Sequence, residues 1–210
     1  MQSNESLVVR ATLCVFAAAI LLLPAKLMWA APAATTLDNL QTAYNGESNA
    51  NARYEAFAKK ADQEGYAGVA VLFRAAAKAE SVHAGQLAAQ IKNAGATPKA
   101  DVKAPEVKST KENVDAALKG ETYEKDTMYP DFIKQAKAEK NAGALEVFTE
   151  AKTAEAGHAQ FYAQALNNLE AWKVARPFFV CTVCGYTVEK ITFEKCPSCL
   201  NPKTKYVEVK

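Results

Sequence analysis

Ala79-Glu80-Ser81-Val82-His83-Ala84 and Ala154-Glu155-Ala156-Gly157-His158-Ala159 decide how this chain folds. Each places a glutamate three residues ahead of a histidine, a spacing that on an α-helix sets the two side chains on one face. These are the only two histidines in 210 residues. Both fall on apolar stripes of helical period: Val69, Phe73, Ala76, Glu80, His83, Leu87, Ile91 in one stretch and Leu145, Phe148, Ala151, Glu155, His158, Tyr162, Leu166 in the other. Two further stripes have the same character. Leu40, Tyr44, Glu47, Asn51, Tyr54, Ala58 carries Glu47, and Val114, Ala117, Glu121, Glu124, Met128, Phe132 carries Glu121 and Glu124.

The periodicity predicts helices over 36–64, 66–94, 110–140 and 142–171, with breaks at Gly65 and near Asn141-Ala142-Gly143. Pro130 lacks a backbone donor and is expected to kink the third around Asp126–Tyr129. Gly95–Ser109 is the one long linker among these helices. Fully extended it reaches about 50 Å, comparable with the about 45 Å of a 30-residue helix. That length suits a crossover along an all-α four-helix bundle of two antiparallel helix pairs.

Five carboxylates and both histidines then point at one core, and no lysine or arginine shares their stripes. A buried carboxylate costs several kcal/mol unless it is paired, hydrogen-bonded or bound to metal. Two divalent cations resolve that cost. Two Glu-x-x-His helices and two helices with a single glutamate are the pattern known from dinuclear carboxylate bundles. The pattern also repeats: Glu47 and Glu80 are 33 positions apart, Glu121 and Glu155 are 34, and Gly46-Glu47-Ser48 echoes Gly120-Glu121-Thr122. Glu124 has no counterpart in the first half. Tyr54 and Tyr129 are candidate donors to the ligand carboxylates, with core packing as the plainer alternative.

After Trp172 the composition changes. Cys181-x-x-Cys184 and Cys196-x-x-Cys199 make two knuckles converging on a tetrathiolate site that accepts iron or zinc; two disulfides are the alternative. At the other end, Arg10 precedes the 13-residue apolar run Ala11–Leu23, and Ala31-Pro32-Ala33 offers a cleavage site. The run is short for a bilayer span. It reads as an export signal, cleaved or kept as an anchor, with Cys14 as a buried apolar residue. The expected organisation is therefore 1–33 export signal or anchor, 34–172 helical bundle and 173–210 cysteine domain. The expected location is periplasmic or otherwise exported, or anchored to a membrane, with the cytoplasm as the less favoured alternative. With 25 Lys and Arg against 23 Asp and Glu, and no basic run, nucleic-acid binding is excluded.

From about Thr36 onwards the chain closely resembles the rubrerythrin family. The resemblance rests on Gly46-Glu47-Ser48 with Tyr54, both Glu-x-x-His motifs, Glu121-x-x-Glu124 followed by Met128-Tyr129-Pro130-x-Phe132, Cys181-x-x-Cys184-Gly185-Tyr186, and Cys196-Pro197-x-Cys199 near Pro202-Lys203. It implies a ferritin-like di-iron bundle with a C-terminal rubredoxin-like domain holding Fe(Cys)4. It further implies reduction of hydrogen peroxide to water in oxidative stress defence. Glu80 and Glu155 are expected to bridge the irons, Glu47 and Glu121 to be terminal and His158 to bind one iron, while His83 exchanges with Glu124 on the other. Electrons are expected from a rubredoxin or a reductase linked to NAD(P)H, and a head-to-tail homodimer is expected to bring one subunit's cysteine site near another's di-iron site. Oxidation of iron by O2, as in iron handling, and a non-enzymatic metal-binding module are the competing readings.

Overall fold

The computed structural model describes residues 34–210; the expected export segment, 1–33, lies outside them. Residues 34–210 form one compact unit. Its helices are α1 (Thr36–Gln63), α2 (Ala67–Asn93), α3 (Thr110–Tyr123), α4 (Tyr129–Ala138) and α5 (Ala142–Asn167). A three-stranded antiparallel sheet follows, with β1 (Phe178–Cys181) between β2 (Thr187–Val188) and β3 (Tyr206–Val209).

The helix starts follow from local chemistry. Thr35 with Asp38 and Ser109 with Glu112 make capping boxes that satisfy the first free N–H groups of α1 and α3, and Asn141 caps α5 through Ala144. Gly65, at φ 78°, turns the chain out of α1 so that Tyr66 N–H reaches the Ala61 carbonyl. At the turn into α5 the left-handed residue is Lys140, at φ 56°. Gly143 serves differently from the expected break: it lies inside α5, where a Cβ would stand 2.4 Å from the Gln90 side chain.

The third predicted helix is interrupted, but not by a simple proline kink. Glu124–Met128 winds as a π-helix, and Tyr129 N–H bonds to the Glu124 carbonyl before α4 begins with Pro130 in its first turn. The extra residue rotates everything after it by about 100° relative to a continuous α-helix. Tyr129 therefore takes the buried position in place of Met128, which is half-buried, and Glu124, at the start of the π-helix, is half-buried as well.

The linker between α2 and α3 is irregular yet ordered by α1. Gln41, Asn45 and Asn49, spaced four apart on one face, exchange hydrogen bonds with the backbone of Thr97, Lys99, Asp101 and Lys103. The crossover thus has a polar stripe in place of a ladder.

Two apolar clusters lie either side of the ionisable residues. One gathers Tyr54, Phe57, Phe73 and Tyr162, the other Tyr129, Phe148, Leu40 and Leu87. Phe178 and Val180 of β1 join the first cluster, with Trp172 stacked on Phe178 at 6.3 Å. The cysteine-rich segment is thereby packed onto the bundle. Gly68 allows the approach, since a Cβ there would meet the Val174 carbonyl at 2.5 Å. No helix among the described residues is long and apolar enough to cross a membrane.

Candidate dinuclear metal centre and cysteine site

The four long helical stretches each bring their ionisable residue to the middle of the bundle. Glu47, Glu80, His83 and Glu155 form one group of potential ligands, and Glu80, Glu121, Glu155 and His158 a second, with the ligand atoms of each within 4.8 Å of one another. Glu80 and Glu155 belong to both groups, so the pseudo-twofold relation in the sequence becomes a shared pair flanked by one further glutamate and one histidine on each side. All six side chains are 1% exposed or less.

Both histidines present Nδ1 to the carboxylates. His83 Nδ1 stands 2.9 Å from Glu80 Oε2 and 3.0 Å from Glu155 Oε1, while His158 Nδ1 stands 2.9 Å from Glu155 Oε2 and 3.6 Å from Glu80 and Glu121. Their far nitrogens face the cysteine segment: His83 Nε2 is 3.2 Å from the Cys184 carbonyl and His158 Nε2 is 3.1 Å from Thr187 Oγ1. Tyr54 donates to Glu121 Oε1 at 2.6 Å, and Tyr129 donates to Glu47 Oε1. Burial and the facing carboxylates hold both phenols well above the ordinary tyrosine range, so they remain donors.

The site suits metal ions. Glu47 Oε2, Glu80 Oε1, Glu121 Oε2 and Glu155 Oε1 are buried with no hydrogen-bond partner. Four orphaned carboxylate oxygens around two imidazoles are costly in an apolar interior, and divalent cations are the partners that satisfy them. Without metal the cluster stores protons instead. Burial, then the neighbouring carboxylates, raises Glu80 well above its usual range; burial also raises Glu121, to about 7, against the pull of His158. Burial would raise Glu155 too, but His83 and His158 together bring it down to about 2. Both histidines are raised, because their carboxylate neighbours outweigh desolvation.

Glu124 belongs to neither group. It sits half-buried in the π-helix, where burial and then Glu47, Glu121 and Glu155 raise its carboxyl well above the usual range. The structure therefore brings His83, and not Glu124, into the first group.

The four cysteines converge as their spacing predicts. Cys181 and Cys199 Sγ are 3.8 Å apart and Cys184 and Cys196 Sγ 3.6 Å apart. A disulfide would require about 2.05 Å, whereas a tetrahedron with metal–sulfur bonds of about 2.3 Å has edges of about 3.8 Å. The disulfide alternative is thus set aside. Three of the sulfur-bearing residues are fully buried and Cys199 is partly open. Tyr206 donates to Cys196 Sγ at 3.1 Å and Asn201 to Cys199 Sγ at 3.4 Å, two side-chain donors that the cysteine spacing does not signal.

Gly185 makes the junction possible. It sits at φ 76°, and a Cβ on it would lie 2.3 Å from His83 Nε2. Cys184 and Thr187 carry the contacts of the cysteine-rich segment to His83 and His158 within the chain.

This is the architecture of a ferritin-like dinuclear carboxylate bundle joined to a rubredoxin-like knuckle. Comparison with known proteins agrees. Residues 38–166 match the family model for rubrerythrin. Nigerythrin of Nitratidesulfovibrio vulgaris is 42% identical over 175 residues, covering 82% of this chain and 85% of that protein, and a rubrerythrin of Porphyromonas gingivalis is 31% identical, covering 83% and 90%. The solved structure of fully reduced, all-ferrous nigerythrin superposes with a TM-score of 0.78 at 40% identity over 85% of this chain and 88% of that one. A bacterioferritin of Desulfovibrio desulfuricans shares the bundle fold at 20% identity, with a TM-score of 0.60 over 65% of this chain and 80% of that one. The chain belongs to the rubrerythrin family: it is a di-iron oxidoreductase with a carboxylate–histidine cluster fit for two metal ions and a four-cysteine cluster fit for one more.

Proposed function

We propose that this chain is a peroxidase that reduces hydrogen peroxide to water in oxidative stress defence, with electrons entering through an Fe(Cys)4 site. The observation that carries this reading is the contact of the two clusters. The carbonyl of a cysteine-site ligand, Cys184, lies 3.2 Å from Nε2 of His83, whose Nδ1 faces the carboxylates. Iron storage needs no such relay. Two ferrous ions, when bound, supply together the two electrons that peroxide requires.

The protein's own groups have definite parts. Glu80 and Glu155, common to both ligand groups, would be shared between two metals, Glu47 and Glu121 would each serve one, and His83 and His158 would bind through Nδ1. Tyr54 and Tyr129 fix Glu121 and Glu47 by donating to one oxygen of each, leaving the other oxygen for a metal. Glu124, three positions beyond Glu121 at the start of the π-helix, would be the alternative ligand to His83 that the family resemblance implies. The buried aromatic clusters on either side keep bulk water from the site. Partly open Cys199 marks the side from which a rubredoxin or an NAD(P)H-linked reductase delivers electrons. The segment 1–33 is proposed to direct export, which sequencing of the mature N-terminus from fractionated cells tests.

The decisive experiment is metal analysis and visible spectroscopy of protein purified without oxygen, followed by addition of peroxide or O2 to the reduced form. Rapid oxidation by about one peroxide per dinuclear site, much faster than by O2, is expected. Zinc in both sites, or faster reaction with O2, would contradict the proposal. Glu121→Ala is expected to abolish dinuclear binding while sparing the cysteine site.

A further inference from the structure

His83 and His158 are both met from behind by the cysteine-rich segment, but by different means. His83 meets a main-chain carbonyl, which no side-chain replacement removes. His158 meets a side chain, the hydroxyl of Thr187, which is 4% exposed and belongs to the two-residue strand β2. β2 pairs with β1 through Val180 and Thr187 and lies against α5 at Gly157, where a Cβ would approach the Thr187 carbonyl to 4.0 Å. The strand is thus pinned on both sides, and its side chain is aimed inward.

The hydroxyl has one proton, and its place is determined. Thr187 Oγ1 lies 2.9 Å from the Gly185 carbonyl, which only accepts, so the hydroxyl donates there. What remains for His158 is an acceptor lone pair. The bond at 3.1 Å therefore requires that Nε2 of His158 carry hydrogen, which leaves Nδ1 to face Glu80, Glu121 and Glu155. A hydrogen-bonded partner on the far nitrogen is what sets tautomer and ring angle in metal-binding imidazoles.

We propose that Thr187 is the positioning residue for His158: through the chain Gly185 carbonyl, Thr187 hydroxyl, His158 Nε2, the cysteine-rich segment completes the dinuclear site by holding this histidine with Nδ1 available to metal. The proposal rests on the reading of His158 as a ligand. It also makes the dinuclear site depend on the cysteine-rich segment, because the residue that orients His158 sits only three positions beyond the ligand Cys184.

The test uses the full chain stripped of metal and titrated with Co2+ against a competing chelator. Thiolate-to-cobalt charge-transfer bands report the cysteine site, and weaker d–d bands of the nitrogen and oxygen ligands report the dinuclear site. Thr187→Val keeps the shape and removes the hydroxyl. It is expected to weaken the dinuclear site about 10- to 100-fold and to alter its d–d bands, with cobalt binding at the cysteines unchanged. Thr187→Ser, which keeps the hydroxyl, is expected to restore both affinity and spectrum. Unchanged affinity in Thr187→Val would overturn the proposal, as would a Thr187→Ser variant as weak as Thr187→Val, which would assign the effect to packing of the methyl group. If the unaltered chain bound cobalt only at its cysteines, the ligand reading of His158 would fall and the proposal with it.

Discussion

Two tyrosines separate a stable cluster of carboxylates from an unstable one. Tyr54 bonds Glu121 and Tyr129 bonds Glu47, so each terminal glutamate has one oxygen held by a phenol and the other left without a partner. The division leaves one oxygen of each for a cation. Tyr54→Phe or Tyr129→Phe removes a hydrogen bond to an ionisable group and is expected to lower the stability of the metal-loaded protein by about 1.5–3 kcal/mol. Urea denaturation of each variant measures this; a change below about 0.5 kcal/mol would place the tyrosines among ordinary core aromatics. Tyr54 stands out in the sequence as an aromatic on a stripe that also carries Glu47, whereas Tyr129 lies one position off the stripe through Met128 and is turned inward by the π-helix. That each serves the glutamate on the other helix pair is decided by packing, since Tyr54 and Glu121 are 67 positions apart and Tyr129 and Glu47 are 82.

At the scale of elements, the π-helix and the crossover are the two devices that a period of 3.6 does not announce. Pro130 identifies the interruption, but a proline is compatible with a kink, a break or a bulge. The bulge prevails because it carries Tyr129 into the core beside Phe132 and Phe148. The crossover has few apolar residues and is held by the Gln41, Asn45 and Asn49 stripe on α1. Asn45→Ala with Asn49→Ala removes the acceptors of Asp101 N–H and Lys103 N–H and the Asn49 donor to the Asp101 carbonyl. At about 1 kcal/mol per hydrogen bond, the pair is expected to destabilise the protein by about 3 kcal/mol and to open residues 97–103 to protease. Thermal melts and limited proteolysis check both effects; cleavage confined to other segments would count against the stripe as the clamp.

For the molecule as a whole, protons and metals compete for one interior. Without metal, Glu80, Glu121, His83 and His158 all bind protons more tightly than in the unfolded chain. Such groups stabilise fully below their unfolded values, 4.5 for the carboxyls and 6.5 for the histidines, and that stabilisation is lost as pH rises through the folded values, about 7 for Glu121. Glu155 acts in the opposite sense, but its contribution is lost only as pH falls towards about 2. The metal-free protein is therefore expected to melt at progressively lower temperature between about pH 5 and about pH 8. Metal ligation needs deprotonated ligands, so the loaded protein is expected to gain stability over the same window. Circular dichroism melts with and without chelator test this, and parallel slopes in the two states would contradict it.

The sequence by itself determines the four helical stretches, the inward glutamates and histidines and the paired cysteine knuckles, because each depends on spacing along one element and on residue types that few other chemistries use together. The tertiary structure alone decides that the cysteine-rich segment seats on its own bundle. That outcome depends on Phe178 and Val180 filling the apolar cluster beside Phe73 and on Gly185 clearing the His83 ring. It also decides that Tyr129 turns inward in place of Met128, because one additional residue in a π-turn changes which face the chain presents, and a linear pattern does not encode where that residue is inserted.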